Sequence, residues 1–147
     1  MAIKTLEWDS KFFGYPVGLL SLEGETLNED KLKSEAASYR VVYVTSSLAQ
    51  NAAILSSGDT KLVFAKKPKQ HELSKELVEM PVKKMEEAIK LGKQSGLWSR
   101  FALDKKFTNH EFQKLYSKWV ERSIQKEIAY KTMTVLKEES ATGIITV

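Results

Sequence analysis

The chain has 147 residues, 42% of them hydrophobic and 29% charged, which fits one ordinary globular domain or a small domain plus part of a second. No run reaches the roughly 18–20 apolar residues of a membrane helix, the N-terminus MAIKTLEWDS lacks the regions of a signal peptide, and the absence of cysteine excludes disulfides and thiolate chemistry. The net charge of +4 is uneven, with 5 Lys+Arg against 8 Asp+Glu in residues 1–60 and 18 against 11 in the remainder, so the C-terminal part has two readings, a solvated lysine surface first and a surface that meets an anion second.

In chain order, residues 3–8 (IKTLEW) read as a short strand, residues 12–16 (FFGYP) as an aromatic turn, and residues 17–22 (VGLLSL) as a resumed extended run. Thr26 with Glu29 forms a capping box that predicts a helix to about Tyr39. Residues 40–45 (RVVYVT) are rich in β-branched side chains and too short for a helix, so they predict a buried strand. Residues 48–55 read as a short helix ended by Ser56, Ser57 and Gly58, and residues 60–65 (TKLVFA) as another strand. Together, residues 1–66 make a small N-terminal α/β domain. The basic, proline-containing stretch that follows predicts a linker over 67–82, with residues 72–79 as a marginal helix. Residues 82–91 then form a helix on the spacing of Val82, Met85 and Ile89, with Gly92 at its end.

The strongest local signal comes next. Thr108 and Glu111 make a second capping box, and Phe107 and Phe112 occupy the positions of a hydrophobic staple. From Phe112 onward, Leu115, Tyr116, Trp119, Val120 and Ile124 continue one apolar face at i+3, i+4, i+7, i+8 and i+12. This predicts an amphipathic helix over 109–125, preceded by a short strand bearing Arg100. Residues 131–138 and 141–147 (ATGIITV) read as two antiparallel strands joined by a polar bend.

Most catalytic motifs fail on spacing. His71 and His110 have no second ligand placed to join them, so no metal site is expected, and neither sits in a triad context. The glycine pairs Gly14/Gly18 and Gly92/Gly96 lack the ending of a phosphate loop. Glu7 and Asp9 fit a capping or surface role better than a carboxylate dyad. The lysine-interleaved aromatics Phe101, Phe107, Phe112, Tyr116 and Trp119 fit a buried face better than a single-strand nucleic-acid surface. Arg100, flanked by Ser99 and Phe101, has two readings: a fork that grips phosphate or carboxylate, or a structural ion pair with Asp104.

Two segments carry a family resemblance. Residues 6–14 (LEWDSKFFG) resemble the L-E-W-D-S-x-F-F-G opening of the TDP-fucosamine acetyltransferase-like group of GNAT N-acetyltransferases. Ser99, Arg100, Phe101, Asp104, Phe107, Phe112, Leu115, Tyr116, Trp119 and Ser123 resemble that group's S-R-F-x-x-D-x-x-F…F-x-x-L-Y-x-x-W-x-x-x-S pattern. The resemblance implies an α/β (α+β) fold: a small mixed domain followed over 83–147 by the first part of a GNAT acyltransferase domain. It also implies transfer of an acetyl group from acetyl-CoA to the amine of a nucleotide-linked aminodeoxy sugar. In such enzymes the amine attacks the thioester, a backbone N–H stabilises the oxyanion, and a tyrosine usually protonates the departing thiolate.

The family's Arg/Gln-x-x-Gly-x-Gly/Ala turn for the pyrophosphate of acetyl-CoA does not occur in these residues. By the family's order residues 141–147 are the third GNAT strand, so the expectation is a chain truncated before its cofactor-binding half and inactive alone. No catalytic residue carries over, and Tyr116 and Tyr130 both precede the region of the general acid. Ser99, Arg100 and Tyr116 are the substrate-binding candidates. The alternative is a non-enzymatic module that binds a nucleotide sugar or a protein. Strand 141–147 would expose an apolar edge, so a homo-oligomer is expected, with no nucleic-acid or membrane partner and a cytoplasmic location.

Overall fold

The computed structural model describes residues 2–55, 67, 76–108 and 110–147. It is a mixed α/β structure in two units, Met1–Lys61 and Leu62–Val147, each containing one three-stranded sheet. The strand expected over 60–65 falls outside the described residues, as do His71 and the first half of the helix expected over 72–79.

In the first unit, β1 (Lys4–Thr5) pairs antiparallel with β2 (Val17–Leu22), and β2 pairs in parallel with β3 (Val41–Ser46). A parallel pair needs a crossover, and α2 (Glu29–Ala36) supplies it. Leu20, Leu22 and Leu27 are buried together under Ile3, Leu32, Val42 and Val44. The strand expected over 3–8 requires correction: only Lys4–Thr5 is extended, and α1 (Glu7–Phe13) begins at once. Trp8 and Phe12 stand four residues apart and stack with centroids 5.1 Å apart, so the helical period prevails. The turn then starts at Gly14, whose φ of 76° ends α1 in the left-handed conformation. Asn28, rather than Thr26, caps α2 by accepting the Lys31 N–H at 2.8 Å. Helix α2 stops at Ala36, short of Tyr39, and the helix expected over 48–55 is a 3₁₀ segment, Ala49–Ile54.

The second unit has β4 (Leu77–Glu79), β5 (Thr132–Lys137) and β6 (Ser140–Thr146), all antiparallel in the order β4-β5-β6. The β5–β6 hairpin matches the expected pair, and its turn residues Glu138 and Glu139 both adopt positive φ, 48° and 65°, as a tight hairpin requires. Strand β4 corrects the described ends of both the linker expected over 67–82 and the helix expected over 72–79. Three residues carry no readable period, and their conformation is set by pairing with β5, some fifty residues away in sequence.

A 3₁₀ turn, Val82–Lys84, leads into α3 (Met85–Ser95), which runs through Gly92 and ends at Gly96. Gly92 is therefore not a cap. It is buried in the helix, where an added Cβ would collide with Val120, so its lack of a side chain lets α5 approach. The strand expected around Arg100 is instead α4 (Arg100–Leu103). The Ser99 carbonyl accepts the Ala102 and Leu103 N–H groups at 3.0 and 3.1 Å, and the turn is held because Phe101 is drawn into the core. Helix α5 (Glu111–Ile124) lies within the expected 109–125, and Glu111 Oε2 accepts the Thr108 N–H at 2.6 Å, the glutamate half of the capping box. Met80, Ala88, Val120 and Ile124 form the core between helices and sheet, joined by Met85, Ile89 and Ile144. Among the described residues no helix is long and apolar enough to cross a membrane.

Candidate functional site

The three substrate-binding candidates lie where α3 turns through α4 into α5. After Gly96, the Ser99 N–H donates back to the Gly96 carbonyl at 2.9 Å, closing a tight turn that sets Arg100 at the start of α4. The Ser99 hydroxyl is buried and makes no hydrogen bond among the described residues. Arg100 places its guanidinium 4.9 Å from the centre of the Phe101 ring, a cation–π contact that restrains the side chain. Asp104 turns one carboxylate oxygen onto the Lys106 N–H at 2.9 Å.

Beneath this turn the five aromatics form one chain of ring contacts. Phe101 meets Phe107 at 5.1 Å and Trp119 at 5.6 Å; Trp119 meets Tyr116 at 5.3 Å, and Tyr116 meets Phe112 at 4.9 Å. These mutual contacts fit the buried-face reading of the sequence, with Phe101 and Phe112 fully inside and Tyr116 and Trp119 half-buried. Tyr116 also packs on Gly96, where a Cβ would strike its ring, so it touches the base of the turn that carries Ser99 and Arg100.

Two hollows of about 200 Å³ each open beside this cluster. One lies between α3, α5 and β6 and is lined by Tyr116, Trp119, Ser95, Ser123, Ile144 and Thr146; Ser99 and Arg100 stand outside its lining. The other sits at the start of α5, bordered by Phe101, Phe107, His110, Glu111 and Gln113. His110 is exposed there in a left-handed conformation with φ 60°, the helix-start role its position implies. Among the described residues no group of three His, Asp or Glu could hold a metal ion. Glu7 and Asp9 occupy the first turn of α1, where acidic side chains complement the helix dipole.

Sequence reasoning missed two polar side chains that fix the framework. Asn51 is fully buried, and Glu87 of α3 accepts the Ala141 N–H of β6 at 2.8 Å as well as Lys84 Nζ at 2.9 Å. The Ala141 N–H, and secondarily Lys84, hold the Glu87 carboxyl below its ordinary pKa. Neither residue sits in a local motif; both act across dozens of positions. Compared with known proteins, the chain matches no family model and no curated protein.

Proposed function

We propose that this chain carries the acceptor-binding part of a GNAT-type N-acetyltransferase, which moves an acetyl group from acetyl-CoA to the amine of a nucleotide-linked aminodeoxy sugar. What supports this proposal is the element order of the second unit among the described residues: β4, the helices α3 to α5, and the antiparallel pair β5 and β6, with residues 141–146 in the last of these strands. Residues 6–14, which resemble the family's opening, form the compact aromatic helix α1.

Ser99, Arg100 and Tyr116 are the proposed sugar-nucleotide contacts. The Arg100 fork suits a pyrophosphate, and the turn it stands on is braced by the ring chain below. With no Arg/Gln-x-x-Gly-x-Gly/Ala turn in its sequence, the chain alone is proposed to bind no acetyl-CoA and to be inactive. The same missing turn favours a second reading, a non-enzymatic module that binds a nucleotide sugar or a protein. A cytoplasmic location belongs to both readings.

A thermal-shift screen against TDP-linked sugars without acetyl-CoA tests the shared ligand. A reproducible rise in Tm is expected, absent in Arg100→Ala and reduced in Arg100→Lys. No shift across the panel would remove the nucleotide sugar from both readings.

A further inference from the structure

The three tryptophans of the chain have very different surroundings. Trp8 stacks on Phe12 with centroids 5.1 Å apart, and Trp119 meets Phe101 at 5.6 Å and Tyr116 at 5.3 Å. Trp98 is 83% exposed, and among the described residues neither a ring contact nor a side-chain hydrogen bond holds it. Tryptophan is a highly buried residue on average, and an exposed indole offers a large, flat apolar face. This one stands in mid-chain, on the turn between α3 and α4 that also carries Arg100.

The turn determines what lies beside the ring. The Ser99 N–H donates to the Gly96 carbonyl at 2.9 Å and the Leu97 N–H to the Gln94 carbonyl at 3.4 Å, which ties the turn to the end of α3. Ser99 is extended, with φ −77° and ψ 158°, and its hydroxyl is buried. Side chains that flank an extended residue leave from the other side of the backbone, and Trp98 and Arg100 are both exposed. Their Cα atoms, two residues apart, are separated by at most about 7 Å. An apolar plane and a planar cation thus stand side by side, above the packing of Tyr116 on Gly96. The local charge favours an anion, because residues 93–106 carry Lys93, Arg100, Lys105 and Lys106 against Asp104 alone.

We infer that Trp98 is the platform on which the base of a nucleoside diphosphate stacks while Arg100 grips its pyrophosphate. This rests on the sugar-nucleotide reading of the same turn and adds to it the contact for the base. A nucleotide joins a flat ring to a charged group through one sugar, which is what a plane and a fork on neighbouring residues can hold together. An apolar peptide would bring no anion to Arg100, and free pyrophosphate would leave the indole bare. Every base has a π-face, so stacking supplies affinity rather than choice among bases. A turn already tied by hydrogen bonds also loses little freedom when the ligand arrives.

Calorimetric titration of the whole chain with TDP, UDP and inorganic pyrophosphate tests the assignment. Trp98→Ala should weaken TDP and UDP to the same degree, by at least about tenfold, and leave pyrophosphate unchanged. Its circular dichroism and Tm should match those of the unaltered chain, because the indole supports no core. Trp98→Phe, which keeps a ring, should recover most of the affinity, and Arg100→Ala should weaken all three ligands. Equal nucleotide affinity in the unaltered chain and Trp98→Ala would overturn the stacking while leaving the sugar-nucleotide reading in place. No heat from any nucleotide, TDP-linked sugars included, would remove both.

Discussion

The first unit closes on a buried amide, the second on rings and glycines. In the first, Asn51 Oδ1 accepts the Leu27 N–H at 2.9 Å, and its Nδ2 donates to the Glu25 carbonyl and to Ser46 Oγ, both at 2.8 Å. One side chain thus ties the loop before α2 to the end of β3 and satisfies backbone groups that burial would otherwise strand. In the second, Gly92 admits Val120, Gly96 admits Tyr116, and five aromatic rings fill the space under α4. The contrast separates two means of specifying a fold, hydrogen-bond satisfaction and shape. It also explains why the candidate ligand turn belongs to the second unit: a ring-packed base holds an Arg-bearing turn rigidly without using up polar groups.

The largest expected effect is on shape. Phe101→Ala removes the ring that joins Phe107 to Trp119 and should destabilise the second unit by about 3–5 kcal/mol. Denaturant unfolding followed by tryptophan emission measures it, and a loss below about 1 kcal/mol would mean the rings do not act as a core. Next comes the polar tie. Asn51→Leu strands the Leu27 N–H and the Glu25 carbonyl, at a cost of about 2–3 kcal/mol, read by faster hydrogen exchange at Leu27. Unchanged exchange there would break the proposed contrast.

The smallest effect is acid sensitivity at the α3–β6 contact. The Glu87 carboxyl has its pKa lowered in the fold, first by the Ala141 N–H and then by Lys84. Its stabilising contribution is therefore complete above the ordinary carboxylate range and is lost as pH falls through the lowered value. Glu87→Gln should flatten the acid limb of the stability profile, and an identical limb in the variant would assign acid loss elsewhere.

Much of this architecture is legible in the sequence where the signal is local. The six-position apolar face from Phe112 to Ile124 could belong only to a helix, and the β-branched runs in β3, β5 and β6 have no room to be one. What was not legible depends on partners far along the chain. Strand β4 exists because β5 pairs with it, and α4 exists because Phe101 finds Phe107 and Trp119. Helix α1 is a different case: its Trp8–Phe12 spacing was present in the sequence but was outweighed by the extended look of IKTLEW. Motif resemblance marks Ser99, Arg100 and Tyr116, while their common support at Gly96 emerges only from the fold.

The proposed function is tested most directly by calorimetric titration of the whole chain with a TDP-linked aminodeoxy sugar and, separately, with acetyl-CoA. The expected result is heat from the sugar nucleotide, weakened at least about tenfold in Arg100→Ala, and none from acetyl-CoA. Tight acetyl-CoA binding with no response to the sugar nucleotide would contradict it.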